Sequence, residues 1–376
     1  MSTLQKVVVV EGCRTPFLRS GTNYMDLLSY QLGGFAIKGL LTKTGIDPKL
    51  VDGVILGNVI ASVKTPNVAR EAALVAGIPH KTPCRTVSQA CISANRAIAD
   101  AYQEIMTGHA DIIIAGGIDH ISDAPIQFPK KMRKKLFFAQ KLKGLGDGIK
   151  FLSSLRFSDF IPERPAIAEY TTNKSMGADC DIMAARFGIT RAEQDAYALR
   201  SHQMAAKAQK KGLLTEEMVS VKFPPKFKEI QNDNGIRPDS KIDKLSRLRP
   251  VFDRKFGTLT AANSSFLTDG ASAVLLMSED KAKYLGFTAK AEIVDFTFTG
   301  QRLEDELLLG PAYAVYKLLN RQKMTFKDID VIEFHEAFAG QILSNLKALA
   351  SDDFASRELG LNKSLGEVPM EKFNLW

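Results

Sequence analysis

Apolar residues along this chain come in two rhythms. Short, mostly apolar runs at Val7–Val10, Val51–Gly57 and Ala110–Gly117 are of the kind found in strands buried on both faces. Between them the apolar positions recur at helical spacing. One such stretch runs from Asp26 to Leu41, with Gly45 as its stop. A second runs from Asn67 to Ala76 and is halted by Gly77-Ile78-Pro79, and a third passes through Ala94, Ala97, Ile98, Ala101, Tyr102 and Ile105. Gly12 to Phe17 reads as a loop, Asp47-Pro48 as a short helical turn and Thr86-Val87-Ser88 as a short strand. Strands alternating with helices predict an α/β layered domain. The Gly116-Gly117 pair closing the third run predicts a close backbone approach at that strand's end.

From Ser122 to about Pro250 the rhythm changes, and the stretch reads as a helical insertion. Lys130, Lys131, Arg133, Lys134, Lys135, Lys141 and Lys143 are interleaved with Met132, Leu136, Phe137, Phe138 and Leu142. This makes a basic amphipathic segment, either a solvated helix with its apolar side on the body or a contact surface. Gly144 to Gly148 reads as a loop. Ser175-Met176-Gly177 opens a helical run, and Thr190-Arg191-Ala192-Glu193 is a capping box starting another. Gly257 to Ala273 is rich in small and hydroxyl residues, suited to a narrow ligand tunnel or to an ordinary polar loop before the strand Ala273–Met277.

The second half then repeats the first. Ala291–Phe296 corresponds to the opening valine strand, Pro311–Leu319 to the first long helix, and Phe326–Phe334 to the segment Lys49–Leu56. His335-Glu336-Ala337-Phe338 follows, at the end of the second copy's second strand, where ligand chemistry collects in such sheets. The repeat stops at Lys372–Trp376, about where the counterpart of the Thr86–Ile105 unit begins, so the second half reads as incomplete. The organisation expected is a first half over 1–121 completed by 251–285, an insertion over 122–250 and a second half over 286–376.

Composition narrows the chemistry. With 376 residues, 45% of them hydrophobic, the chain has ample core. Its four cysteines, Cys13, Cys84, Cys91 and Cys180, are dispersed without a C-x-x-C pair, which argues against a disulfide framework or a zinc knuckle. The net charge of +8 favours anionic partners. Nucleic acid is set aside because the basic cluster belongs to no recognisable binding domain. No apolar run reaches membrane-spanning length, and no leader is visible. The expected compartment is therefore a bacterial-type cytoplasm, with the mitochondrial matrix or inner-membrane surface as the alternative.

Two residues stand out chemically. Cys91, in Gln89-Ala90-Cys91-Ile92-Ser93-Ala94, sits at a strand-to-helix junction, where free N–H groups favour a thiolate and small neighbours admit a large acyl group. The competing reading is a buried structural cysteine. His335 is either a satisfied structural histidine or part of a site at a strand end.

Taken together, Gln89–Ala94, Gly257–Ala271 and His335–Phe338 resemble the thiolases, in particular the 3-ketoacyl-CoA thiolases of fatty-acid β-oxidation that serve as β subunits of trifunctional complexes. Arg14-Thr15-Pro16-Phe17, Asn67–Glu71 and Leu308–Pro311 also match. The resemblance implies an α/β thiolase fold: two similar α/β/α layered halves with mixed sheets plus an inserted helical loop domain. It implies that Cys91 takes an acyl group from a 3-ketoacyl-CoA, releases acetyl-CoA and passes the acyl group to free CoA. His335, where many thiolases carry Asn, would help position an oxyanion-hole water, and Met176, Ala261, Ser265, Ala337 and Phe338 would line the CoA pantetheine tunnel. Coenzyme A is then a substrate, with no bound cofactor and no metal. The implied partners are a second copy of the chain and a hydratase/dehydrogenase α subunit, with peripheral membrane contact through 130–143. The family's Gly-His-Pro and Cys-x-Gly segments, which supply a base and an acid, fall beyond Trp376. Asp119-His120 and Ala178-Asp179-Cys180 also depart from its usual pattern. The alternative is a non-catalytic CoA-binding or dimerisation subunit.

Overall fold

The computed structural model describes residues 4–163 and 168–376. The first half comprises β1 (Val7–Arg14), β2 (Leu18–Arg19), α1 (Ser29–Thr44), β3 (Gly53–Gly57), α2 (Val68–Val75), β4 (Cys84–Val87), α3 (Ser93–Met106) and β5 (Ile112–Asp119). Next come α4 (Lys130–Ala139), α5 (Leu145–Ser154), α6 (Met176–Arg186), α7 (Arg191–Lys210) and the short α8 (Ile242–Leu245). The chain then re-enters the sheet with β6 (Thr268–Ser278), followed by α9 (Glu279–Tyr284) and β7 (Ala291–Glu292). It ends in α10 (Gly310–Gln322), α11 (Ala339–Ala350) and α12 (Asp352–Leu359).

One mixed sheet runs β4-β3-β5-β6-β1-β7, with β2 paired to β6. β3 lies parallel to β4 and β5, whereas β5–β6, β6–β1 and β1–β7 are antiparallel. The apolar runs alternate between two covered faces, as the pleat requires. Val8, Val10, Val54, Leu56, Ile112 and Ile114 join a core shared with α1 and α2. Val7, Ile55, Ile113 and Ala115 join a second core with Ala97, Ala101 and Ile105 of α3. The layered α/β architecture expected from the rhythm is therefore present. The glycine pair does what its position suggested. A Cβ on Gly116 would lie 2.0 Å from the Ser272 carbonyl oxygen on β6, and one on Gly117 would lie 2.8 Å from the Ala94 methyl of α3.

A separate core joins the insertion to the second half. Cys180 and Met183 of α6 and Tyr197 of α7 pack with Leu309, Ile342, Phe338 and Phe373. Here the strand expectations are corrected. Ala291–Phe296 shortens to the two residues of β7, which extend the first half's sheet by pairing with Val8 and Val9. Phe326–Phe334 is not a strand: it opens as a 3-10 turn at Phe326–Asp328, and Ile332 pairs only with Phe373 in an isolated bridge. A ladder needs a hydrogen-bonded neighbour along its length, and among the described residues Phe373 is the partner Ile332 finds.

Two other loop readings also change. β1 runs on to Arg14 because β6 is long enough to pair with it as far as Ser272. Gly144–Gly148 is mostly helix, since Gly144 is the N-cap of α5. The basic segment does not lay its apolar side on the body. Within α4 only Met132 is buried, and Phe137 and Phe138 are about 60% exposed.

Candidate active site

The parallel strands β3, β4 and β5 end together at Gly57, Val87 and Asp119, and the chain turns there into α3. The turn is tight. Ala90 adopts a positive φ of 47°, a left-handed conformation that costs a non-glycine residue about 1–2 kcal/mol. Ser93 holds it: its Oγ donates to the Ala90 carbonyl at 2.7 Å and accepts the Gln89 N–H at 2.8 Å. Gly57 lets the start of α3 press against β3, for a Cβ there would lie 2.2 Å from the Ser93 carbonyl carbon and 2.4 Å from Ala94 N. Cys91, held between Ala90 and the first turn of α3, has an exposed side chain, so the buried structural cysteine is not what this position holds.

Its electrostatics differ from the expectation of a favoured thiolate. Desolvation by the surrounding protein, then the negative charge of Asp119, push the Cys91 thiol above its ordinary pKa, and a local backbone hydrogen bond opposes them only in part. The sulfur sits one residue before the helix N-cap Ile92, with no cation among the described residues acting on it, so the helix end is outweighed. Asp119 is tied into the same strand ends. Its Oδ1 accepts the Val59 N–H at 2.9 Å and the Ile60 N–H at 3.2 Å, while burial raises its own pKa.

β6 starts at this end of the sheet, since Gly270 pairs with Asp119. The small-residue segment leading into β6 is fixed by polar side chains of α6, α7 and its own turn. Asp181 Oδ1 accepts Thr258 N at 2.7 Å and Leu259 N at 3.1 Å, and Asn263 Oδ1 accepts Thr260 N at 2.7 Å. Asp195 Oδ1 accepts from the Asn263 amide at 3.1 Å. That segment in turn grips the motif of the second half. Ser265 N donates to the Ala337 carbonyl at 2.9 Å, Ser264 pairs with Phe338, and Ala339 N donates to the Asn263 carbonyl at 2.9 Å. This segment therefore ties the His335–Phe338 motif to the residues that lead into β6.

A cleft of about 840 Å³ opens beside it, lined by His335, Glu336, Ala261, Ser265, His202 and Arg237 among others. Of the expected tunnel residues, Ala261 and Ser265 face the cleft. Phe338 is buried edge-on against Phe252, and Met176 and Ala337 are partly buried against the second-half core. Cys91 is not among the residues lining this cleft. His335 is an exposed residue at its wall. Desolvation nevertheless lowers its imidazole pKa, opposed by the charge of Glu336.

The residues that depart from the family pattern have structural places. His120 is fully buried, with Nε2 3.2 Å from the Tyr24 carbonyl, and burial pushes the Cys180 thiol far above its ordinary value. Sequence reasoning missed Ser93, Asp181 and Glu336. Only Ser93 left a local signal, a hydroxyl at the first helical position after the cysteine; the other two act through partners distant in sequence. Among the described residues no group of His, Cys, Asp and Glu is placed to hold a metal ion.

Comparison with known proteins supplies the family. The profile for "Thiolase, N-terminal domain" matches residues 7–280, and that for "Thiolase, C-terminal domain" matches 287–376. The mitochondrial trifunctional enzyme subunit beta of Homo sapiens is 49% identical over 373 residues, 99% of this chain and 78% of that protein. The 3-ketoacyl-CoA thiolase of Pectobacterium atrosepticum is 44% identical over 370 residues, 98% of this chain and 85% of that one. Among solved structures, Bacillus anthracis acetyl-CoA acetyltransferase superposes with a TM-score of 0.82 at 29% identity, covering all of this chain and 86% of that one. Human mitochondrial 3-ketoacyl-CoA thiolase in complex with CoA gives 0.81 at 30% identity, with the same coverage. The cysteine turn, the paired motif of the second half and agreement along almost the whole length lead to one assignment: the chain belongs to the thiolase family and has its fold.

Proposed function

We propose that this chain carries out the thiolytic cleavage of 3-ketoacyl-CoA in fatty-acid β-oxidation, with Cys91 as the nucleophile. The Cys91 thiol gives up its proton as Sγ attacks the 3-keto carbonyl carbon, the bond between C2 and C3 breaks, and acetyl-CoA leaves once its C2 carbanion takes up one proton, so that the transfer is proton-neutral. The thiol of a second CoA then attacks the Cys91 thioester, giving the shortened acyl-CoA and restoring the cysteine. Two easier transfers replace one difficult exchange. The observation that supports the reading is an exposed cysteine on a strained turn between the ends of the parallel strands and the start of α3. In this reading His335 positions the water that stabilises the developing oxyanion. Met176, Ala261, Ser265, Ala337 and Phe338 shape the pantetheine path, Ala261 and Ser265 directly and the others by packing behind it. CoA is the substrate, and the division into 1–121 with 251–285, 122–250 and 286–376 belongs to the same reading.

The test is incubation of the chain with a 3-ketoacyl-CoA and CoA, followed by mass spectrometry of both products and of the intact protein. Acetyl-CoA together with a Cys91 thioester is the expected outcome. CoA binding with neither product nor thioester would favour the non-catalytic subunit instead.

Partners follow from the same assignment: a second copy of the chain, a hydratase/dehydrogenase α subunit and an anionic membrane surface. The membrane reading rests on α4, α5 and the residues after them, where Leu145 and Phe157 are about 90% exposed beside Lys130, Lys131, Lys134 and Lys150. Cosedimentation with anionic vesicles is expected to be salt-sensitive, each basic residue near the surface contributing about 1 kcal/mol. It is expected to fall in a Phe137→Ser/Phe138→Ser variant; equal binding to neutral vesicles would remove the electrostatic part of the idea. No described helix is long and apolar enough to cross a membrane, and the relatives include mitochondrial and bacterial proteins. We place this chain with the bacterial-type, cytoplasmic forms, the mitochondrial matrix being the alternative.

A further inference from the structure

Among the described residues the imidazole of His335 has no hydrogen-bond partner, so the backbone on either side must aim it. That backbone is anchored at both ends. Before it, Phe334 N donates to Asn374 Oδ1 at 2.8 Å and the Asn374 amide donates to the Phe334 carbonyl at 3.0 Å. After it, the Ala337 carbonyl is held by Ser265 and Ala339 N by the Asn263 carbonyl. Between these anchors stands Glu336, whose carboxylate is engaged on both oxygens. Oε1 accepts from the Tyr197 hydroxyl at 2.6 Å and from the Asn374 amide at 2.8 Å, and Oε2 accepts from the Ser201 hydroxyl at 2.5 Å.

Tyr197 and Ser201 are one helical turn apart on α7 and so present both hydroxyls from one face. Asn374 comes from the terminal segment, which Arg200 of the same helix holds through the Phe373 carbonyl at 2.8 Å. A carboxylate at a cleft wall needs no protein partner, because water can solvate it. This one is gripped from two elements far apart in sequence, next to a histidine that nothing else orients. We propose that Glu336 is a positioning residue: clamped by Tyr197, Ser201 and Asn374, it sets the direction of His335 in the cleft.

The assignment rests on the thiolase reading of His335, and it adds an electrostatic role. The Glu336 charge counters the desolvation that depresses the His335 pKa. Glu333, also acidic, belongs to the same wall, as do His202, Arg237 and Asp239. Removing the Glu336 charge therefore shifts His335 titration to lower pH.

The chain has five histidines, few enough to follow by histidine-labelled NMR in the full-length protein, with His335 assigned by its loss in His335→Asn. Glu336→Gln is expected to move the His335 titration to lower pH. Tyr197→Phe/Ser201→Ala, which keeps the charge but cuts two of the donors, is expected to lower kcat for thiolysis about 10- to 100-fold. The KM for CoA should stay within about threefold in that variant, since misalignment acts on the reacting geometry rather than on uniform binding. An unmoved His335 resonance in Glu336→Gln would overturn the proposal. So would a Tyr197→Phe/Ser201→Ala protein that melts lower but turns over normally while folded. If the wild-type chain shows no thiolysis, the functional reading has failed, and the His335 titration alone decides whether Glu336 acts on its neighbour.

Discussion

Cys91→Ala is expected to abolish acyl transfer, lowering the rate by about 10⁴-fold or more, because loss of a covalent nucleophile removes the intermediate itself rather than one contribution to it. The check is the intact-protein mass after exposure to acyl-CoA. A thioester adduct should form on the wild type and on neither Cys91→Ala nor Cys91→Ser within the same time. The structure adds a pH signature. Desolvation by the surrounding protein and the charge of Asp119 raise the Cys91 pKa although its side chain is exposed, so the reactive thiolate is scarce at neutral pH and grows as pH passes the ordinary thiol range. Iodoacetamide labelling of Cys91 in the free chain should accelerate steadily into alkaline solution. Asp119→Asn keeps an acceptor for the Val59 and Ile60 N–H groups but removes the charge, so it should lower the Cys91 pKa and speed labelling at neutral pH. A labelling rate already at its plateau near neutrality would show that the helix end prevails after all.

The largest structural effect is expected at Gly57. Alanine there would place a methyl 2.2–2.4 Å from backbone atoms of Ser93 and Ala94, which cannot rotate away as a side-chain end could. Either β3 or the start of α3 must move. The cost is about 3 kcal/mol or more, well above the few tenths to 1 kcal/mol that Gly→Ala gains by restricting the unfolded chain. Because the displaced segment carries Ser93, whose hydroxyl holds the Ala90 turn, acylation at Cys91 should fall more steeply than stability. Gly146→Ala, inside α5 with open space around the added methyl, is the control and should lose no stability, since alanine is the better helix former by about 1 kcal/mol. Chemical denaturation of both variants, read beside the adduct yield, separates the two effects. Equal stability of Gly57→Ala and wild type would mean that the α3 contact is softer than its backbone geometry implies.

Much of this protein was legible in its sequence because the deciding interactions are local. The unbroken valine and isoleucine runs specify strands covered on both faces, and Asn67 and Thr190 cap their helices through side chains three residues from their targets. Gly116 and Gly117 announced a close approach that a Cβ would forbid. The motifs around Cys91 and His335 identified the family for the same reason: the turn, the helix start and the segment entering β6 are each written in consecutive residues.

Tertiary structure decided the rest. Whether Phe326–Phe334 becomes a strand depends on a hydrogen-bonding neighbour, and its own apolar pattern carries no information about that neighbour. Ala291 and Glu292 join the first sheet because β1 offers them an edge. The ionisation of Cys91 depends on Asp119, brought beside it by strand pairing, and on how much water the fold removes, so the local motif alone pointed the wrong way. Glu336 looks like any surface carboxylate until α7 and Asn374 fold around it. Local chemistry chose the elements, but burial and charge at the site arise from contacts between residues distant in sequence, and only the folded chain sets those.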